Sequence, residues 1–160
     1  MDTTDRSILE LLQDDARLSN AEIARRVGMA PSATLERIRK LEERGVIGGY
    51  TAIVRPEAVG LGLLAFVFVR ADDGPDEGAH PGLTERRLAE IPEVQEVHHV
   101  AGEDCFLVKV RSADTASLGR LLRDTIGRIP TIRSTRTTIV LGTAKESTRL
   151  PLAEVESSRA

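Results

Sequence analysis

The sequence lacks the residues on which several classes of protein depend. Its 160 residues include one cysteine. A single cysteine cannot form a disulfide within the chain, and no Cys/His cluster has the spacing of a zinc finger. We therefore expect neither a disulfide scaffold nor a bound metal or cofactor. The composition is typical of a protein from a reducing cytoplasm.

A long hydrophobic run is also missing. The longest one spans residues 61–69, far short of the roughly 20 residues that cross a bilayer. Residues 1–5 show neither the charge nor the hydrophobicity of a signal peptide. The sequence therefore predicts a cytoplasmic protein with no membrane partner.

Acidic and basic residues nearly balance, with 22 Lys and Arg against 25 Asp and Glu and a net charge of −3. Residues 20–44 depart from this balance, because six basic residues there stand against four acidic ones. The local charge is positive while the rest of the chain is acidic. Any surface that binds nucleic acid must therefore lie in this segment.

Three short helices are predicted in the first third of the chain. Asp5 is expected to cap the first helix and Ser19 or Asn20 the second, which Gly28 ends. A proline, favoured at the first helical position, opens a third helix over 31–43. Two short helices joined to a third by a tight glycine-containing turn indicate a helix-turn-helix. A generic three-helix bundle with a solvated charged face is the alternative.

The third helix has an apolar side and a polar side. Leu35, Ile38 and Leu41 are predicted to face inward. The opposite side places small polar groups near the helix start, where base edges are reached, and basic residues further on. Arg37 is predicted to pair with guanine, while the other basic residues hold phosphates. The predicted DNA-binding residues are Arg25, Arg26, Ser32, Ala33, Thr34, Glu36, Arg37 and Lys40.

The rest of the chain alternates strands and helices after a linker strand. The predicted order is βαββαβ, with elements at 60–70, 83–91, 94–101, 106–110, 113–129 and 132–141. This order is typical of the ferredoxin-like fold, an antiparallel sheet with both helices on one face. The open face is expected to be apolar and to be covered by a second copy of the chain, so a homodimer is predicted.

The fold class is therefore α+β, with a three-helix, winged-helix-like helix-turn-helix followed by a ferredoxin-like domain. The predicted domains are the helix-turn-helix at 1–47, a linker strand at 48–60, the ferredoxin-like domain at 61–142 and a C-terminal tail at 143–160. The tail is expected to be poorly ordered at its end. An acidic loop at 72–81 is expected to be mobile and has no assigned role.

An ordered series of short motifs runs through the helical segment. The motifs are DRSIL at 5–9, LSNAEIARRVG at 18–28, LERIRKLE at 35–42, GVI at 45–47 and GYTA at 49–52. In these residues the chain closely resembles the Lrp/AsnC family, the leucine-responsive and asparagine-responsive regulators. The likeness continues through the second domain to Leu141.

The resemblance implies a bacterial or archaeal transcription regulator that binds double-stranded DNA at a pseudo-palindromic operator and senses an amino acid or related small molecule. Members of the family assemble as homodimers and then as larger rings, so a tetramer or octamer is implied as well. A regulator of this kind is expected at the nucleoid.

The resemblance also implies where an effector binds. Family effector sites lie between dimers, near a Gly-x-x-Asp turn between the second and third strands and near the last strand of a neighbour. Here the turn carries Cys105 where the family usually has Asp, and Ala30 replaces the Ser that usually caps the recognition helix. The implied effector-binding residues are Val100, Gly102, Glu103, Asp104, Cys105, Thr135, Thr137 and Thr138.

Three other functions compete with a ligand-responsive regulator. An enzyme is one, because His98, His99, Asp104 and Cys105 are close in sequence, yet adjacent strand residues point to opposite faces. A relative of the family with the same architecture, a sirohaem decarboxylase, would use a tetrapyrrole and would show a Soret band when it binds one. A DNA-coating protein would bind without a ligand, and a module that has lost DNA binding would have an acidic or truncated recognition helix. No enzyme activity is predicted.

Overall fold

The computed structural model describes residues 1–72 and 82–152. Most of the predicted acidic loop and the end of the predicted tail therefore lie outside the described residues. The chain divides into two compact units, a helical unit of Met1–Ala52 with Lys145–Ala160 and a sheet unit of Ile53–Ala144. Among the residues that are described, no helix is both long and apolar enough to cross a membrane.

The helical unit contains the three helices that the sequence predicts. They are α1 (Thr3–Asp14), α2 (Asn20–Val27) and α3 (Pro31–Glu43). Ser19 caps α2 by accepting a hydrogen bond from the Glu22 N–H at 3.2 Å. Gly28 ends α2 with a φ of +70°, a conformation that favours glycine.

The prediction that Asp5 caps α1 is wrong. Asp2 is the cap, and its Oδ1 accepts from the Asp5 N–H at 2.8 Å. Asp5 lies three residues further on, and its Oδ2 accepts from the Asp2 N–H at 3.3 Å. Two acids at this spacing form a reciprocal capping box, in which the earlier residue is the cap.

The core of the helical unit corrects the inward face predicted for α3. Ile8, Ile23 and Leu41 are each 1% exposed or less. On α3, the buried residues are Thr34, Ile38 and Leu41, whereas Leu35 is only half-buried. The spacing 34, 38, 41 follows one helical stripe, so the stripe is rotated by about one residue from the predicted one.

The predicted linker strand does not form within a single chain. Residues 48–55 pair with no other strand among the described residues, and a short 3₁₀ helix follows at Pro56–Val59. A strand needs a hydrogen-bonding neighbour, and residues 1–72 and 82–152 provide none for this segment. Its side chains stay open to solvent, with Ile53 86% exposed.

Tyr50, at the start of the 48–55 segment, forms a hydrogen bond to α3. Its hydroxyl donates to Glu42 Oε1 at 3.0 Å. Partial desolvation and the Glu42 carboxylate raise the pKa of Tyr50 to about 12, because both disfavour the phenolate.

The Tyr50 phenol is therefore expected to ionise near pH 12 in the folded protein. Tyr50 is the sole tyrosine and the chain has no tryptophan, so its ultraviolet absorbance can be titrated without interference. Folding stability from this group is intact below the unfolded pKa of about 10 and declines as pH rises towards 12. In Glu42→Gln the phenol should ionise at a lower pH, and an unchanged titration curve would contradict the contact.

The sheet unit has the predicted βαββαβ order. Its elements are β1 (Leu63–Ala71), α4 (Leu83–Ala89), β2 (Val94–His99), β3 (Phe106–Ser112), α5 (Thr115–Arg120) and β4 (Ile132–Ile139). The strands form one antiparallel sheet in the order β2-β3-β1-β4. The ferredoxin-like prediction is thus confirmed, with the two central strands β3 and β1 adjacent.

The two faces of the sheet differ. Val67, Val69 and Val108 are fully buried under the helices. Phe66, Phe68 and Leu107 alternate with them and are half-buried on the open face. These three side chains form an apolar patch on the open face, as the sequence predicts, and Lys109 lies opposite Phe66 on the same face.

The last predicted helix is less regular than expected. After α5 the chain makes a π-helical turn at Leu121–Thr125 and a 3₁₀ turn at Ile126–Arg128. The Ile126 N–H bonds to the Leu121 carbonyl, a five-residue step that leaves both side chains in the core.

The predicted C-terminal tail returns to the helical unit. The Gln13 side chain donates to the Leu150 carbonyl at 3.2 Å and accepts from the Leu150 N–H at 2.7 Å. Arg149 pairs with Asp14, and Leu152 packs against the helical core. Residues 145–152 are therefore part of the helical unit, which the sequence pattern did not predict.

Candidate nucleic-acid interface and effector turn

The polar side of α3 is open to solvent near its start. Ser32 and Ala33 are exposed, and Ala30 at the cap position makes no side-chain hydrogen bond to the helix. The missing cap agrees with the replacement of the usual Ser at this position. Small exposed side chains at the start of the helix allow its backbone to approach base edges closely.

One predicted DNA contact is wrong. Thr34 is fully buried, and its hydroxyl donates to the Ala30 carbonyl at 3.2 Å. Its side chain lies on the inward stripe of α3, one position away from the exposed Ala33. A fully buried side chain cannot reach a base, so Thr34 belongs to the core.

Glu36 and Lys40 form an ion pair on the exposed side of α3. Lys40 Nζ lies 3.4 Å from Glu36 Oε1, and both side chains are more than half exposed. Exposed pairs of this spacing contribute little to stability. Lys40 therefore remains able to turn towards a phosphate.

Arg25 and Arg26 share one carboxylate on α2. Arg25 donates two hydrogen bonds, of 2.7 and 2.9 Å, to the Glu22 carboxylate. Arg26 Nε donates to Glu22 Oε1 at 2.7 Å. Hydrogen bonds from these two arginines lower the pKa of Glu22 to about 2, and Arg25 has the larger effect. The cluster keeps one net positive charge and holds both guanidinium groups at the surface.

Arg37 is engaged within the helical unit. Its Nη1 donates to Asp2 Oδ2 and to Asp5 Oδ1, each at 2.7 Å. Its side chain is 33% exposed, against 63% for Lys40 on the same helix. The predicted pairing of Arg37 with guanine therefore conflicts with the position of its guanidinium, which points to the beginning of α1.

A shallow cavity of about 410 Å³ adjoins the polar side of α3. Its walls include Asp5, Arg37, Lys40 and Arg44. The lining mixes charges of both signs and lies wholly within the helical unit. The cavity is thus a depression in the candidate nucleic-acid interface and is separate from the predicted effector turn.

The predicted effector turn joins β2 to β3 in the sheet unit. The Val100 N–H donates to the Cys105 carbonyl at 2.9 Å, and the Cys105 N–H donates to the Val69 carbonyl at 2.8 Å. Gly102 has a φ of +140°, which side-chain-bearing residues rarely adopt. The turn is therefore anchored at its base and glycine-dependent at its tip.

Acidic side chains of this turn face arginines of neighbouring strands. Asp104 Oδ2 accepts from Arg136 Nη2 at 2.9 Å, and the Arg136 guanidinium lies 4.0 Å above the Phe68 ring. Glu103 is almost fully exposed, with Arg70 at 3.7 Å. Sequence reasoning missed Arg136, although its two-residue spacing from Thr138 places both on one face of β4.

Cys105 is not exposed beside these groups. Its thiol donates to the Ala71 carbonyl at 3.3 Å, and its side chain packs against the core of the sheet unit. The prediction that Cys105 contacts an effector therefore conflicts with its inward position. Position 105 therefore lacks the carboxylate usually found at this point of the turn, and the carboxylates of the turn are those of Glu103 and Asp104.

The three predicted threonines of β4 divide between the two faces of the sheet. Thr135 and Thr137 lie opposite Val69 and Val67, on the side of the helices. Thr138 lies opposite Phe66, on the open face with Arg136. One effector site cannot use all three hydroxyls from one strand, and Thr138 alone shares the face of the Asp104–Arg136 pair.

The histidines considered for an enzyme do not converge. His98 Nε2 lies 3.0 Å from Glu96 Oε2, whereas His99 stacks on Phe106 with ring centroids 5.1 Å apart. Cross-strand pairing puts them on opposite faces, as the alternation of a strand predicts. Within residues 1–72 and 82–152, no three metal-ligating side chains cluster.

Two family models match the chain. The Lrp/AsnC ligand binding domain matches residues 64–150, and a winged helix-turn-helix DNA-binding model matches residues 1–47. The Leucine-responsive regulatory protein of Escherichia coli strain K12 is 40% identical over 151 residues, which are 94% of this chain and 90% of that protein.

Solved structures resemble most of the chain. A transcriptional regulator from Neisseria meningitidis, determined as an L-Met complex, is 31% identical with a TM-score of 0.85, covering 95% of this chain and 97% of that one. A feast or famine regulatory protein from M. tuberculosis, complexed with L-methionine, is 37% identical with a TM-score of 0.82, covering 93% and 97%. The match extends through both units.

Proposed function

The chain belongs to the Lrp/AsnC family, and from this membership we propose that its helix-turn-helix binds a pseudo-palindromic operator as part of a homodimer. It is a DNA-binding transcription regulator that responds to an amino acid or a related small molecule. The observation that carries the proposal is the exposed side of α3, where Ser32, Ala33 and Lys40 lie beyond a tight glycine turn.

In the proposed complex, two recognition helices of a dimer enter successive major grooves roughly 34 Å apart. Ser32 and Ala33 approach base edges, and Arg25, Arg26 and Lys40 hold phosphates. The dimer is supported by the apolar open face of the sheet and by the unpaired linker with its exposed Ile53. Further assembly to a tetramer or octamer alters how many operators are held at once. Because its proposed partner is operator DNA, the protein acts in the cytoplasm, at the nucleoid.

The proposed effector site centres on the turn between β2 and β3. Val100, Gly102, Glu103 and Asp104 supply the turn, and Arg136 and Thr138 supply the open face beside it. The exposed Glu103 carboxylate suits an ammonium group. Arg136, oriented by its hydrogen bond to Asp104, has further N–H groups that suit a carboxylate. A zwitterionic amino acid carries both groups.

A gel-shift titration on the DNA upstream of the protein's own gene tests this function. We expect a specific shift that weakens between two salt concentrations, because phosphate contacts release counterions. Adding the twenty amino acids singly, L-methionine first, should change the shift for at least one of them. A specific shift indifferent to all twenty would contradict the effector proposal, and no shift would contradict the DNA-binding proposal.

Asp104→Ala separates effector binding from DNA binding. This variant should bind the operator like the unsubstituted protein and lose most of its response to the effector, because Arg136 no longer has its orienting carboxylate. Asp72→Ala is the matched control, since Asp72 also pairs with an arginine of β4, Arg133. If Asp104→Ala and Asp72→Ala responded equally to the effector, the effector would bind at a site other than this turn.

A further inference from the structure

Arg37 lies on the recognition helix but contacts the beginning of α1. We propose that Arg37 is a positioning residue, which sets the orientation of α3 for DNA by bridging Asp2 and Asp5 instead of reading a base. The proposal rests on the DNA-binding function proposed above. It assigns to α1 a share in DNA recognition although α1 presents no predicted DNA contact.

The bridge is a closed set of hydrogen bonds. Each carboxylate gives one oxygen to a backbone N–H of α1, with Asp2 accepting at 2.8 Å and Asp5 at 3.3 Å. Each gives its second oxygen to Arg37 Nη1 at 2.7 Å. One nitrogen of α3 thus bridges the two carboxylates of the capping box of α1. A large rotation of α3 about its axis would break both hydrogen bonds from Arg37 to these carboxylates.

Burial makes this bridge costly to open. The Asp5 side chain is 12% exposed and the Arg37 side chain 33%. Removing Arg37 would leave the Asp5 carboxylate partly desolvated without its cation. The pKa of Asp2 is lowered mainly by the hydrogen bond from the Asp5 N–H and then by the one from Arg37. The hydrogen bonds to Asp2 and Asp5 raise the pKa of Arg37. Asp2 and Arg37 therefore remain charged and paired at neutral pH.

The position of Arg37 along α3 explains how it can influence DNA binding. Ala33 lies one turn before it and Lys40 about one turn after it, and both are exposed on the candidate nucleic-acid interface. A helix held by side chains of fixed geometry presents such contacts more accurately than a loosely packed one. The bridge therefore fixes the angle at which these two residues meet the groove.

A double-mutant cycle tests the proposal with the full-length chain. Arg37→Ala, Asp5→Asn and their combination are compared for affinity to the operator at 10 °C, after circular dichroism shows each to be folded. Each single variant should lose about tenfold in affinity, as expected for a charge-assisted hydrogen bond. The double variant should lose little more than either single one, and preference among operator sequences should persist. Arg37→Lys should recover part of the affinity, since an ammonium can also bridge two carboxylates.

Asp5→Asn is the decisive variant because the alternative predicts the opposite sign. If Arg37 reads guanine, freeing it and removing a negative charge should raise affinity, and Arg37→Ala should lose preference at one base pair. Glu10→Gln is the matched control, because it removes an exposed charge from α1 without touching Arg37. If Arg37→Ala lowered the melting temperature but left the affinity for the operator unchanged, Arg37 would contribute to stability only, and the proposal would be wrong. Failure of the unsubstituted protein to bind DNA would instead overturn the proposed function.

Discussion

Leu41→Ala is expected to unfold the helical unit near physiological temperature and to abolish DNA binding. Leu41 is 1% exposed and packs with Ile8, Ile23 and Ile38 in a core of few residues. Truncating a buried Leu to Ala costs about 2–5 kcal/mol. A unit of this size has only about 3–8 kcal/mol of stability at the usual value per residue. The substitution therefore removes a large share of it.

The loss should be confined to one unit. Hydrogen exchange followed by mass spectrometry should show α1, α2 and α3 exchanging rapidly in Leu41→Ala while β1 and β3 stay protected. Leu141→Ala is the matched control, because Leu141 is fully exposed and its truncation should change stability by less than about 0.5 kcal/mol. Simultaneous loss of protection in the sheet would show that the two units unfold as one, contrary to the predicted domain division.

The double substitution Arg25→Ala with Arg26→Ala is expected to weaken binding to all DNA sequences by about 10- to 100-fold at moderate salt. Both arginines are held at the surface of α2 by Glu22, and the proposal gives both of them phosphate contacts. The slope of log affinity against log salt should become less negative by about 0.9 for each phosphate contact removed. Discrimination between operator and unrelated DNA should change little.

Arg86→Ala with Arg87→Ala is the control for this experiment. These residues are also adjacent, exposed arginines on a short helix, but they lie on α4 in the sheet unit. Both double variants change the net charge equally. Equal weakening by the two would mean that total charge, and not a surface on α2, determines affinity.

Much of the fold could be predicted because its signals are local. Ser19 and Gly28 predict where α2 begins and ends, and Pro31 predicts where α3 begins. The preference of each residue for a helix terminus depends on the backbone of its immediate neighbours. The βαββαβ order follows from hydrophobic periodicity in the same way. The separation of His98 from His99 needed only the alternation of side chains along a strand.

The candidate site was predicted less completely, because side-chain contacts depend on residues distant in sequence. Thr34 and Ala33 are neighbours on α3, yet a rotation of the helix by one residue buries the first and exposes the second. Arg37 looks free in the sequence until α1 packs beside α3. The partner of Asp104, Arg136, is brought to it by the pairing of β4 with β1.

By itself, then, the sequence determined the family, the helix-turn-helix with its basic segment and the order of the sheet, since these depend on local propensity and on an ordered series of motifs. Only the tertiary structure decided that Arg37 binds Asp2 and Asp5 at the beginning of α1, that Cys105 faces the core and that Thr138 is separated from Thr135 and Thr137. It also decided that Arg149 and Leu150 contact the end of α1 and that Leu152 packs against the helical core. The physical reason is that packing chooses among contacts that local preferences leave equally open.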